Sequence, residues 1–238
     1  MPEHDVGCEW GRRGVRALAP ESDVVVVIDV LSFTTAVDIA VARGAAVLPY
    51  GRRDRAAGEL AAATGAVLAG RRGTPGAWSL SPASLETIPP GTILLLPSPN
   101  GGALSLATGV IGTPPRTLAA CLRNCTAAAR KAREYGARIA VIPAGEQWRG
   151  GSLRPAIEDL LGAGAVIAQL PGRRSPEAEA AVAVFERFRS QLHEAIAGSV
   201  SGRELAARGF LRDIELAAGL DASDAVPLLA GDRFVNAG

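Results

Sequence analysis

Histidine and cysteine are scarce in this chain. His4 and His193 are its two histidines, and Cys8, Cys121 and Cys125 its three cysteines, in 238 residues. Little is left for a zinc site or a Ser-His-Asp triad. Three cysteines, an odd number, do not make a disulfide framework. The spacing of Cys121 and Cys125 suits one helix face. Two small buried thiols is the favoured reading, with redox or metal chemistry the minor alternative. Lysine is nearly absent: Lys131 stands alone among 25 basic residues, and the formal net charge is +1. That balance argues against a general grip on nucleic acid. No apolar run reaches the roughly 20 residues of a membrane span. The polar start, with Glu3, His4 and Asp5, is unlike a secretory signal. The expectation is a soluble cytoplasmic protein with neither nucleic acid nor membrane as a partner.

Aromatics make up only 4% of the chain but hydrophobic residues 48%. Ala, Val, Leu and Ile must therefore fill the core, and small side chains suit close helix–sheet packing. Val24–Ile28 reads as a buried strand that Asp29 ends. Helical spacing follows over Thr34–Gly44. Ala45–Leu48 reads as a strand closed by Pro49, Asp54–Thr64 as a helix, and Ala66–Ala69 as a short strand. Gly70–Pro90 reads as a long surface excursion, a length often tied to function. Thr92–Leu96, Thr117–Ala120 and Arg138–Ile142 read as further strands, and Thr126–Tyr135 and Pro155–Leu170 as helices. Pro176–Ile196 reads as one long amphipathic helix, Gly202–Leu220 as a helical stretch broken near Gly209, and Val226–Leu229 as a last strand. Alternating strands and helices predict a layered α/β/α fold with a mainly parallel or mixed sheet. The expected organisation is a single compact unit over residues 1–238. Two intimately packed lobes, with 171–238 as a C-terminal helical and short-strand segment, are the variant of it. Strand ends gather ligands at one rim in such folds, which would make neighbours of Asp29, Asn100 and Glu146.

Asp29 follows a buried strand, a place suited to metal binding or to nucleophilic attack. Thr34 and Thr35 bring hydroxyls and amides to a helix start, where anions are stabilised; the rival reading makes Thr34 a cap. Leu31 stands where the haloacid-dehalogenase-like phosphatases have their second aspartate. Ser98-Pro99-Asn100-Gly101-Gly102 is a loop whose glycines let amides approach a phosphate. Arg123 offers a fork for an acid group, beside Asn124. Asp29, Glu146, Glu158 and Asp159 are oxygen ligands of the kind Mg²⁺ takes. For Glu158 and Asp159 the alternative is simple complementation of a helix dipole.

In this order the motifs resemble the 2-phosphosulfolactate phosphatase family. They are Ile28-Asp29-Val30-Leu31-x-x-Thr34-Thr35, Asn100-Gly101, Arg123-Asn124, Pro143-Ala144-Gly145-Glu146 and Ile157-Glu158-Asp159-Leu160-Leu161-Gly162, with Asp213-Ile214-Glu215 near the end. The resemblance runs from Asp23 to Phe234. It implies Mg²⁺-dependent hydrolysis of 2-phospho-3-sulfolactate to 3-sulfolactate and phosphate, a step toward coenzyme M. It carries over Asp29, Thr34, Thr35, Asn100, Gly101, Asn124, Glu158 and Asp159 as site candidates without assigning roles. The chain also departs from the family pattern. Ser32 and Phe33 stand where members have Arg and Ala, Arg71 where they have Glu, and Gly102 where they have Thr. Arg71 or Arg72 is the candidate replacement for the lost charge. The leading expectation is therefore a phosphatase acting on a small phosphorylated hydroxyacid, with homo-oligomers left open. The alternatives are a non-catalytic binder of a small anionic metabolite and, more weakly, a partner-binding protein using the Pro176–Ile196 helix.

Overall fold

The computed structural model describes residues 4–110 and 114–238, so Glu3 lies outside the described residues. Strand β1 (Val6–Cys8) and helix α1 (Gly11–Leu18) come first. They are followed by β2 (Val24–Ile28), α2 (Phe33–Ala42), β3 (Ala46–Tyr50), α3 (Arg55–Thr64), β4 (Val67–Leu68) and β5 (Ile93–Pro97). Next come α4 (Gly101–Thr108), β6 (Arg116–Ala120), α5 (Cys125–Tyr135), β7 (Ile139–Pro143), the small hairpin β8 (Glu146–Gln147) and β9 (Leu153–Arg154), and α6 (Ile157–Ala168). The C-terminal part holds α7 (Pro176–Phe188), α8 (Leu192–Ala197), α9 (Val200–Ala207), α10 (Leu211–Ala218), β10 (Pro227–Ala230) and β11 (Arg233–Asn236).

The main sheet runs β1-β7-β2-β6-β10-β11-β3-β5-β4. It is mixed. β1, β7, β2 and β6 form one parallel block, and β3, β5 and β4 form another. The C-terminal hairpin joins them through three antiparallel pairings, β6–β10, β10–β11 and β11–β3. Three reversals in a row make the second block run opposite to the first. The expectation that all strand ends share one rim thus holds only within a block. The loop after β5 reaches the end of β2 because α4 packs across β2, β3 and β6.

All five residues of β2 are fully buried. Alternation sends Val24, Val26 and Ile28 into a core with α5, α6 and α7, and Val25 and Val27 into one with Val15 of α1 and Leu104 of α4. Helices therefore cover both faces, giving the layered α/β/α arrangement. A third core packs α2 against β3, β5 and β11, with Phe33 and Phe234 edge to face at 6.3 Å. Each large aliphatic group so buried contributes about 1.5–3 kcal/mol.

Several boundaries differ from the sequence reading. β3 does not stop at Pro49 but continues to Tyr50, with Pro49 in register with Leu96. The Gly70–Pro90 excursion is not confined to the surface: Ser79, Ser81, Leu85 and Ile88 are buried. The long Pro176–Ile196 helix is two helices separated by a 3₁₀ turn at Arg189–Gln191. Its apolar face, with Ala178, Ala181 and Phe185, is already spent on α6, where Gly164 lets the two helices approach. The three cysteines are free, buried thiols.

Candidate active site

Asp29 ends β2 and is 4% exposed. The loop after it closes on itself. The Thr34 hydroxyl donates to the Asp29 carbonyl at 2.8 Å and accepts from the Asp29 amide at 3.0 Å. The Thr35 hydroxyl donates to the Val30 carbonyl at 2.8 Å. Both hydroxyls are committed to the loop. The carboxylate itself is held by backbone: Oδ1 accepts from the Phe33 amide at 3.3 Å and Oδ2 from the Gly101 amide at 2.7 Å. Gly101 opens α4, so a helix N-terminus faces the negative charge. A Cβ at Gly101 would lie 2.6 Å from Asp29 Oδ2 and 2.5 Å from the Phe33 ring. Only glycine lets the amide come this close.

The other three acids gather around the same strand end. Asp159, in the first turn of α6, is buried and staples two loops: Oδ1 accepts from the Val30 amide at 2.7 Å and Oδ2 from the Gly145 amide at 2.8 Å. Glu146 follows β7 and accepts from Asn100 Nδ2 at 2.9 Å. Glu158 is 2% exposed and its side chain makes no hydrogen bond to the described residues. The electrostatic stress is plain. Burial, then the charge of Glu146, push Asp29 up to about 7, against the amides of Gly101 and Phe33. Burial and the charges of Asp29 and Glu158 raise Asp159. Burial raises Glu146, with Glu158 adding to it.

The described residues contain no group of three or more His, Cys, Asp or Glu side chains arranged to hold a metal ion. Mg²⁺ commonly takes only one or two protein carboxylates, with water and substrate oxygens as the rest. Glu158, buried without a hydrogen bond, and Glu146 beside it fit that smaller requirement, and their mutual repulsion suits a cation. Asp29 and Asp159, both expected as ligands, each have both oxygens accepting from backbone amides.

Two more expected residues serve the scaffold. The Asn124 carbonyl accepts from the Cys121 amide, and its amide group donates to the carbonyls of Ala119 and Ala225. That ties β6 to the C-terminal segment. Arg123 pairs with the buried Asp38 at 2.8 Å and donates to the Leu216 carbonyl. Its charge is already matched within the fold.

Arg12 and Arg13 arrive unannounced by the sequence. A cavity of about 480 Å³ opens beside Asn100 and Glu146, with Arg12 and Arg13 on its wall. Arg72 donates to the Ser32 hydroxyl at 2.9 Å and to the Leu80 carbonyl, and it pairs with Asp213, which is 1% exposed. Asp213 accepts in turn from the Ser81 hydroxyl and the Ala83 amide. Of the two candidates for the charge missing at Ser32, Arg72 is the one that touches it.

The model of 2-phosphosulpholactate phosphatases matches residues 15–232. The chain belongs to that family. The 2-phosphosulfolactate phosphatase of Methanothermobacter thermautotrophicus is 29% identical over 216 residues, which is 90% of this chain and 89% of that protein. A probable 2-phosphosulfolactate phosphatase of Carboxydothermus hydrogenoformans is 32% identical over 216 residues, 87% of this chain and 86% of its own length. A probable member from Gloeobacter violaceus is 34% identical over 113 residues, about half of each chain. The family is one of phosphoric monoester hydrolases, and Asp29, Asn100, Gly101, Glu146 and Glu158 all lie within the matched span. Arg12 and Arg13 lie just before it. Among the described residues no helix is long and apolar enough to cross a membrane.

Proposed function

We propose that this chain hydrolyses the phosphomonoester of a small phosphorylated hydroxyacid, 2-phospho-3-sulfolactate being the substrate named for its relatives, with Mg²⁺ as cofactor. The observation that carries this reading is Asp29: a buried carboxylate at a strand end, braced by backbone amides and crowded by other acids. At pH values near its raised pKa it exchanges its proton readily and so is poised for chemistry at neutral pH. The Gly101 amide fixes the carboxylate, and the start of α4 supplies partial positive charge for an anionic group beside it. Asn100 orients Glu146 through its side-chain amide. Asp159 holds the loops after β2 and β7 at a fixed spacing, which preserves the geometry of the acids. A divalent cation held by Glu158 and Glu146 would neutralise phosphoryl oxygens and position water.

The deciding experiment is phosphate release from 2-phospho-3-sulfolactate and related phosphorylated hydroxyacids, with Mg²⁺ and with EDTA. Release that stops in EDTA supports the whole reading. Full release in metal-free buffer removes the cation from it. Ligand-dependent melting shifts without any release would instead support a non-catalytic binder. Acid quench then separates the two roles open to Asp29: a phosphorylated Asp29 peptide marks a nucleophile, and its absence during turnover marks a ligand or base.

A further inference from the structure

A second cavity, of about 360 Å³, lies on the other parallel block. Arg53 reaches it from the loop after β3, Arg71 and Arg72 from the segment after β4, and Arg208 from the end of α9, while Leu80 and Leu96 supply apolar wall. No carboxylate is among the described residues that line it.

An exposed arginine is ordinarily just solvated, and one alone says nothing. Here the pattern of pairing separates three of them, Arg53, Arg71 and Arg208, from their neighbours, while Arg72 has Asp213. Arg52 pairs with Asp54, and Arg55 with Glu59, yet Arg53 between them has no ion pair among the described residues. Arg212 binds both Glu86 and Glu215, while Arg208, four residues earlier at the end of α9, has no ion pair among the described residues. Arg71 has none either, among the described residues. The chain has nearly as many acids as bases, so acids were available and were placed elsewhere. Two of the four are also held together physically. The guanidinium groups of Arg72 and Arg208 both lie over the Phe210 ring, at 5.3 and 5.4 Å from its centre. That brings two like charges onto one ring, with the single carboxylate of Asp213 to balance them. Arg72 is the least exposed of the set, its side chain 11% accessible, and Asp213 anchors it from behind. Its other contact is Ser32, three residues after Asp29 in the same loop. Burial, and then the charge of Arg208, press down on the Arg72 pKa, while Asp213 and Asp29 support it.

We infer that this cavity is the subsite for the acid end of the substrate that is not hydrolysed, a sulfonate or carboxylate on a short carbon chain; the identity of that occupant rests on the hydrolase reading above. Sulfonate and carboxylate oxygens match the parallel N–H pairs of guanidinium groups. The volume suits a small organic acid. Arg72 links the subsite to the Asp29 loop, so an acid bound there is registered against the carboxylate. Ser32, with no charge of its own, orients the guanidinium.

Titration calorimetry with 3-sulfolactate tests this without turnover, since that probe carries no phosphate. The parent protein, Arg71→Ala, Arg208→Ala and a charge control, Arg187→Ala on the exposed side of α7, are compared at low and moderate salt. The expected result is binding by the parent that weakens with salt, at least tenfold weaker binding by Arg71→Ala and Arg208→Ala, and parent-like binding by Arg187→Ala. Equal affinity in all four proteins, or no binding by the parent at millimolar probe, would overturn the subsite. Phosphate release from phosphorylated hydroxyacids is measured alongside. Arginine-dependent binding with no release by the parent leaves the subsite standing and removes the hydrolase reading. Release by the parent with arginine-independent binding does the reverse.

Discussion

The two parallel blocks end in opposite charge. The strands β2 and β7 of the first block lead into Asp29 and Glu146, and Glu158 and Asp159 close in from α6. The strands β3 and β4 of the second lead into Arg52, Arg53, Arg71 and Arg72. Similar positions in a strand-turn arrangement thus carry opposed stress. Burial and neighbouring carboxylates raise the pKa values of Asp29, Glu146 and Asp159. Arg52 pairs with Asp54 and Arg72 with Asp213, while Arg53 and Arg71 have no ion pair among the described residues. Neither rim is what stability alone would favour, because like charges in proximity destabilise the empty fold. A cation relaxes the first and an anion the second, and the two rims meet where Gly101 touches Asp29 and Arg72 touches Ser32.

The largest expected effect comes from breaking the basic rim at its anchor. Asp213 is buried, pairs with Arg72, and accepts from Ser81 and Ala83. Asp213→Ala leaves the Arg72 charge without its partner, which in buried pairs costs about 3–5 kcal/mol. Urea denaturation measures it. A loss below about 1 kcal/mol would show that solvent screens the pair and that the rim needs no anchor.

On the acid rim, Asp29→Asn should lower turnover by roughly 10²–10³-fold, the scale of one lost electrostatic contact, while the protein stays folded. Stability should move the other way. The Asp29 carboxyl is raised from 3.8 to about 7, so the folded state holds its proton more tightly than the unfolded state does. The stabilisation from that proton is complete below 3.8 and is lost as pH rises through about 7. Asn has no proton to lose. Melting temperatures in EDTA across that window should therefore fall less steeply for Asp29→Asn than for the parent. Parallel curves would mean that the acid rim carries no stress.

The joint between the rims is tested by Gly101→Ala. The added methyl meets Phe33 and Asp29 Oδ2 well inside contact distance. Overpacking of this kind costs about 1–3 kcal/mol, and it pushes the amide off the carboxylate. Stability and turnover should both drop. Unchanged turnover would separate the amide from the chemistry.

The first block was far more legible in the sequence than the second. Val24–Ile28 and Ile139–Pro143 are continuous apolar runs, and an acid after such a run stands out. β1 and α1 escaped notice: one is three residues long, and Gly11–Leu18 has Val15 as its only large buried side chain. With α1 went Arg12 and Arg13. β11 escaped because four residues at Arg233–Asn236 are too short to display alternation. The arginine rim was only half visible, through Arg71 and Arg72 beside the missing charge at Ser32, and for another reason. Arg53 and Arg208 are ordinary surface residues in sequence, and only the reversal imposed by the C-terminal hairpin and the packing of α9 and Phe210 bring them to Arg71 and Arg72. The Pro176–Ile196 pattern misled because Arg189-Ser190-Gln191 keeps helical composition while the chain tightens into a 3₁₀ turn.

The smallest expected effect decides what the threonines of the acid rim do. Sequence position at a helix start suggested that Thr35 meets the phosphate. In the structure its hydroxyl donates to the Val30 carbonyl and the side chain is fully buried. Thr35→Val keeps the shape and removes that one bond. A hydrogen bond lost inside a fold costs about 0.5–1.5 kcal/mol, a modest shift in melting temperature. Because the bond fixes the loop and not a ligand, KM for a phosphorylated hydroxyacid should move much less than it would for a lost phosphate contact. A charge-assisted contact is roughly twice as strong as a neutral one, so losing it would raise KM by tenfold or more with little change in melting. Steady-state kinetics beside a thermal melt distinguishes the two. A large rise in KM at unchanged stability would return Thr35 from the scaffold to the substrate.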